Sequence, residues 1–240
     1  MTVACPALSG QDRLVIRGPS GSASSLVRAI VPLLSARYIL FGEAGLISAV
    51  TTAVPGLEPR NQFGWMDAAG IKSRARSHVV RWLSPAEWPE VDDVLGRAFP
   101  DSYARPGLPG VRRWAGIREP GGMLAATAAD AWSAPTLGFL AGVAVHGPAR
   151  GQGLGRDVCH FVLADLLVTY GRASLMVHEW NAPAIRTYSC LGMSWGWCAQ
   201  RGSAGHEQRP ARPPEPVAQA WALSWSGSGA TELPRTAASA

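Results

Sequence analysis

VAVHGPARGQGLGR, residues 143–156, is the stretch on which the reading of this chain turns. The run GFLAGVAV, residues 138–145, enters a glycine-rich turn, and a helical pattern begins beyond it. A nearly continuous apolar run of this kind predicts a strand covered on both faces. Leu154, Val158, Phe161, Val162 and Leu166 recur at helical spacing, which predicts a helix over 152–170 that stops at Gly171. The start of such a helix gathers exposed N–H groups and the positive end of the helix dipole, an arrangement that binds anions. Gly151, Gly153 and Gly155 let the backbone curl around a phosphate, and Arg150 and Arg156 add positive charge. The turn suits a diphosphate.

Two common nucleotide motifs fail at this turn. A Walker loop needs G-x-x-x-x-G-K-[ST], and no such lysine is present. A Rossmann fingerprint needs G-x-G-x-x-G, but its last position falls on Arg156 or Val158. The pattern that fits is R-x-x-G-x-G, made by Arg150, Gly153 and Gly155. Downstream, residues 173–178 predict another strand. Asn181 then caps a short helix with Pro183 in its first turn and Gly192 at its end. Seven residues at about 100° each return to nearly the same helix face and climb about 10 Å. Asn181 and Tyr188 therefore can touch one extended ligand. Each alone reads as a cap and a core residue.

The two segments together, in this order, resemble the GNAT superfamily of acyl-CoA-dependent N-acyltransferases. The phosphate-loop form is carried by Arg150, Gly153 and Gly155, and the second signature by NAPAIRTYSCLGM, residues 181–193. The resemblance is specific over 123–200 and looser over 77–122. It implies an α/β (α+β) fold, a mixed twisted sheet with helices on both faces and splayed central strands. It implies that acetyl-CoA, or another short acyl-CoA, is the co-substrate. Main-chain groups of Val143 and Val145 would bond the pantetheine arm. N–H groups of Gly151, Gln152, Gly153, Leu154, Gly155 and Arg156 would hold the pyrophosphate beside Arg150, and Asn181 would bond the arm from the other side. Tyr188 would protonate the leaving thiolate. Glu179, His178 and Asp130 are candidate bases for the incoming amine, with Glu179 preferred; several relatives use water alone. The expected acceptor is a primary amine of a small molecule or peptide. A non-catalytic acyl-CoA-binding regulator and a toxin-type acyltransferase acting on charged tRNA are the alternatives.

Outward from this core, residues 78–83 predict a strand. Ser84, Pro85 and Glu87 form a capping-box pattern for a helix over 85–98. Strands follow over 111–117, 123–132 and 137–145, and a last one over 193–200. Residues 1–22 read as a loose terminus, 24–52 as partly helical, and 53–76 give no clear element. The division expected is an N-terminal extension over 1–76, the catalytic domain over 77–202 and a low-complexity tail over 203–240 that carries one strand at 217–225. No internal repeat is visible.

Composition narrows the function classes. With 240 residues, 47% hydrophobic and 16% charged, the chain can bury a sizeable core. The apolar run 26–50 is broken by Arg28, Arg37 and Glu43, so no membrane span is expected. The first twenty residues lack a secretory pattern, and a cytoplasmic protein is the expectation. The net charge of +5 comes without a basic block or RNA-reading motif, which argues against nucleic acid. Cys5, Cys159, Cys190 and Cys198 show no zinc spacing, so no metal is expected. Lys72 is the only lysine, a bias that suggests a GC-rich, bacterial genome. The acceptor side is assigned to the loop 99–110 and the final strands, with Trp114, Trp132, Trp180, Trp195 and Trp197 as candidate lining. A homodimer is compatible with all of this.

Overall fold

A computed structural model describes residues 1–8, 11–35, 37–72 and 78–203. The strand expected at 217–225 lies outside the described residues. Among the described residues ten strands form one sheet in the order β1-β2-β3-β10-β4-β9-β8-β7-β6-β5. The strands are β1 (Thr2–Leu8), β2 (Gln11–Ile16), β3 (Ile39–Glu43), β4 (Leu57–Ala68), β5 (Val80–Trp82), β6 (Val111–Arg118), β7 (Leu124–Ala131), β8 (Gly138–Val145), β9 (Ala173–Val177) and β10 (Ser194–Ser203). The helices are α1 (Ser20–Ile30), α2 (Ala44–Ala53), α3 (Trp88–Ala98), α4 (Leu154–Tyr170) and α5 (Ala182–Cys190). Among the described residues no helix is long and apolar enough to cross a membrane.

Local chemistry explains most boundaries in the second half. Ser84 and Glu87 close a reciprocal capping box, and Pro85 occupies the first turn that leads into α3. Gly171, with φ 75°, ends α4, and Gly192, with φ 98°, follows α5. The alanine-rich β7 is buried along its whole length, which lets α3 and α4 pack closely on it from opposite faces. Cross-strand pairing puts α1, α2, α4 and α5 on one face of the sheet. The other face carries α3 and the loop 99–110.

The first 72 residues depart from the sequence reading. Residues 1–22 begin with a β1–β2 hairpin, tied by reciprocal backbone bonds between Met1 and Arg17. In β2, Arg13 and Val15 face one side and Leu14 and Ile16 the other, an alternation the glycines and serines nearby obscure. Residues 24–52 hold β3 between two helices; α1 stops at Ile30 because Pro32 forces a tighter 3-10 turn. Residues 53–76, unassigned from sequence, hold the whole of β4, the longest of the described strands. β4 lies between β9 and β10, so one sheet runs across residue 77.

A repeat invisible in the sequence is plain in the backbone. The unit β2-α1-β3-α2-β4 has the same order and pairing as β8-α4-β9-α5-β10: each first pair is parallel, and each last strand is long and antiparallel. The last strands are exchanged: β10 pairs with β3, and β4 with β9. A pseudo-two-fold axis therefore passes between β10 and β4. The two units differ in their parallel pairs. β2 and β3 pair at three positions, and a Cβ at Gly42 would lie 2.8 Å from the Ile16 carbonyl oxygen. β8 and β9 pair at only two.

Candidate active site

The β8–β9 ladder consists of Gly138 opposite Ala173 and Phe139 opposite Ser174. The cause of its early end lies on the other edge of β8. Ala141 opposes Ala129 and Ala144 opposes Thr127, so β8 has one residue more than β7 between these pairs. This is a β-bulge, and bulges bend the strand that carries them. It centres on Gly142, which has φ 59°. A side chain there is excluded twice, since a Cβ would also fall 2.4 Å from the Trp114 ring. Past the bulge, Val143, Ala144 and Val145 run away from β9 and open a wedge between the two parallel strands.

The wedge leads to the start of α4. Gly151 and Gly153 have φ 81° and 86°, left-handed values that favour glycine. Gly153 is the N-cap of α4 and supplies no capping side chain. The first-turn N–H groups of Leu154, Gly155 and Arg156 thus have no intrahelical partner and no side-chain cap. Gly155 is needed for closeness: a Cβ there would stand 3.2 Å from Val145 Cγ2. Gln152 is exposed, and the Leu154 side chain is buried beneath the turn. Arg150 donates to the carbonyl oxygens of Val145 and Ala98, at 3.3 and 3.5 Å, and so lies across the strand end. Arg156 is half-buried, with its Nε 3.8 Å from Asp157. Asp157 is fully buried in the same turn and meets His78 Nδ1 at 2.6 Å. That pair anchors the helix start to the approach of β5. Sequence reasoning missed it, because 79 positions separate the partners.

The other wall is α5. Asn181 caps it by accepting from the Ala184 N–H at 3.3 Å through Oδ1, which directs the amide's donors elsewhere. Tyr188 lies two turns further along, 7% exposed. Burial pushes its hydroxyl well above the ordinary 10, and Cys159 and Tyr103 push the same way. At neutral pH it is a protonated donor. Glu179 is exposed in the turn between β9 and α5, beside His178 and Trp180, whose rings stack at 5.2 Å. Asp130 is 1% exposed, accepts from Ser133 Oγ and pairs with Arg113, which also engages Asp165. Its carboxylate is tied into a structural network on the α4 side of the sheet.

The tryptophans separate. Trp114 packs against the bulge, and Trp195 packs over Gly64, where a Cβ would fall 2.0 Å from its ring. Trp180 is exposed. Trp132 stands 5.5 Å from the Tyr103 ring. The Trp197 side chain lies outside the described residues. The face opposite α4 also gathers aromatic residues from the first 72 positions, where the sequence reading assigned no role: Phe41, Phe63 and Trp65.

Residues 80–193 match the model of the acetyltransferase (GNAT) family. These residues carry a GNAT acetyltransferase domain. The chain's fold is similar to that of a GCN5-related N-acetyltransferase from Kribbella flavida, with a TM-score of 0.60 at 19% identity over 84% of each chain. It is also similar to a GNAT-family structure from Novosphingobium aromaticivorans, with a TM-score of 0.55 at 21% identity over 83% of this chain and 91% of the other. A third, a GCN5-related N-acetyltransferase from Sphaerobacter thermophilus, gives 0.52 at 14% identity over 91% of this chain and 78% of its own. No curated protein matches the chain. The GNAT domain makes the protein an acyltransferase, and the family's acyl donor is an acyl-CoA. Its mixed sheet with helices on both faces is the one the resemblance implied.

Proposed function

We propose that this GNAT protein transfers an acetyl or other short acyl group from acyl-CoA to a primary amine. The observation that carries the reading is the wedge past the Gly142 bulge, whose Val143 and Val145 share one packed cluster with Leu154 at the uncapped start of α4 and with Tyr188 of α5. The residues fit a long pantetheine diphosphate. Val143 and Val145 offer main-chain bonds to the arm, as a partner strand would. The N–H groups of Gly151, Gln152, Gly153, Leu154, Gly155 and Arg156 take the pyrophosphate, with the charges of Arg150 and Arg156 beside it. Asn181 bonds the arm through its amide donors.

In the reaction, the amine nitrogen attacks the thioester carbonyl carbon, and the carbon–sulfur bond breaks. A main-chain N–H near Val143 stabilises the oxyanion that forms between these events. Tyr188 gives its proton to the departing sulfur. The amine's surplus proton leaves through water to Glu179, exposed at the wedge, and a proton from solvent restores Tyr188. The products are an N-acyl amide and free CoA. The test is thiol release from acetyl-CoA over a pool of primary amines, with product masses measured intact. Calorimetry that shows tight ATP or NAD binding and no CoA binding would end this reading.

A further inference from the structure

β8 and β9 are parallel, so the turns that follow them leave the sheet at the same edge, the open end of the wedge. The turn after β8 leads into α4, at whose start the diphosphate is proposed to bind. The turn after β9 leads into α5, which packs against α4 on the same face of the sheet. The two helix starts are therefore neighbours along one edge. Open α/β sheets take their ligands just outside the carboxyl ends of such parallel strands.

The second turn is short and aromatic. β9 ends at Val177, and the Asn181 N–H donates to the His178 carbonyl oxygen at 3.0 Å, which closes a turn over 178–181. The rings of His178 and Trp180, two residues apart in this turn, stack at 5.2 Å with 11° between their planes. Trp180 is nonetheless 73% exposed and belongs to none of the three core clusters. Core packing, which accounts for the buried Trp65, Trp114 and Trp132, does not account for it. His178 backs one face of the indole, and the other face stays open to water.

The direction of the ligand decides what meets that open face. In an acyl-CoA the adenosine lies beyond the diphosphate, on the side away from the acyl group. The arm runs inward from the start of α4, past Val145 and Val143, toward the closed end of the wedge at Phe139 and Ser174. The adenosine is thus left outside, at the sheet edge. Toward β7 that edge is crossed by Arg150, bonded to the carbonyl oxygens of Val145 and Ala98. Toward β9 it holds the turn with Trp180, directly before Asn181, the residue proposed to bond the arm.

Resting on the acyltransferase reading above, we infer that the adenine ring of the acyl-CoA stacks on the open face of Trp180, with His178 supporting the indole from behind. This moves Trp180 from the acceptor side, where the sequence reading put it, to the donor side. Glu179, between the two rings in the chain, stays exposed to the water that carries the amine's proton away.

Calorimetry on the full chain tests this with two probes, CoA and phosphopantetheine, which keeps the arm and one phosphate but lacks the adenosine. A base stacked on an aromatic side chain contributes about 1–3 kcal/mol, which is about 5- to 150-fold in affinity. Trp180→Ala should weaken CoA binding by about fivefold or more and leave phosphopantetheine binding within about twofold of wild type. Trp180→Phe keeps an aromatic face and should recover part of the loss, whereas Trp180→Leu should not. His178→Ala should show a smaller loss, confined to CoA. Unchanged CoA affinity in a folded Trp180→Ala overturns the inference. An equal loss for both probes does so too, and makes Trp180 a support for the arm rather than for the base. So does a changed preference among amines in the thiol-release pool with CoA affinity intact, which returns Trp180 to the acceptor side. If phosphopantetheine binds too weakly to titrate, the CoA series decides: Trp180→Phe no better than Trp180→Leu overturns the inference. A wild type that binds no CoA refutes the acyltransferase reading itself, a result separate from these.

Discussion

Replacing Tyr188 by phenylalanine separates catalysis from packing at one atom. The ring sits 7% exposed in α5, within the cluster that includes Val158, Cys159, Leu191 and Met193. Phenylalanine keeps that packing and removes the hydroxyl. Because burial holds this hydroxyl above its ordinary value, it remains protonated throughout the working pH range, and every molecule carries the proton that the proposed acid role requires. A positioned general acid contributes about 10²–10⁴-fold in rate, or about 2.7–5.4 kcal/mol of barrier at 1.36 kcal/mol per tenfold. The whole loss should fall on kcat. The first turn of α4 and the Asn181 cap are untouched, so acyl-CoA affinity should change less than about twofold. Stability should fall by no more than about 1.5 kcal/mol, the scale of one hydrogen bond. The assay is single-turnover acyl transfer with an accepted amine, beside a CoA titration and a denaturant melt on the same protein. The wild type should also keep its kcat on the alkaline side up to pH 10, since the raised hydroxyl does not ionise below its ordinary value. A folded Tyr188→Phe protein with near-wild-type turnover would refute the acid role. Equal losses in turnover and CoA affinity would make Tyr188 a binding residue shared with Asn181.

Gly153→Val forces a branched residue to φ 86° at the helix start, a strain of about 1–2 kcal/mol, and puts a side chain where the diphosphate must approach. Acyl-CoA affinity measured by calorimetry should drop about tenfold or more; unchanged affinity in a folded variant would make this turn only a turn. Gly142→Ala combines left-handed strain of about 1–2 kcal/mol with overpacking of about 1–3 kcal/mol against Trp114. Denaturant melts should show a loss of about 2–5 kcal/mol, and a change within about 0.5 kcal/mol would mean that the bulge shifts freely. Alkali should unfold the protein early. Burial holds Cys198 at about 12, up from 9.0, and Tyr103 at about 12, up from 10.0. Both groups bind fewer protons unfolded than folded at intermediate pH, so stability is full below about pH 9 and falls as pH rises toward 12. Melts at pH 7 to 11 should show this decline, and a flat profile would contradict it.

What the sequence by itself determined is the second half of the chain, element by element. The strand, turn and helix over 138–170, the capping box at Ser84 and Glu87, the Asn181 cap and the Gly171 and Gly192 stops all follow from bonds and periods that span a few residues. Such signals survive in a linear reading because the partners are neighbours along the chain. The wedge itself was expected from resemblance, but its cause, one extra residue in β8 at Gly142, needed the register with β7. Tertiary structure alone decided the rest. The pairing of His78 with Asp157, the insertion of β4 between β9 and β10, and the contact of Trp65 with Phe139 connect residues from about 75 to more than 100 positions apart. Strand neighbours are chosen by which apolar faces can be buried together, and no local propensity records that choice. The exchanged last strands are the clearest case. Each unit is completed by the other's final strand, β10 beside β3 and β4 beside β9, a pairing made by contacts across the whole sheet.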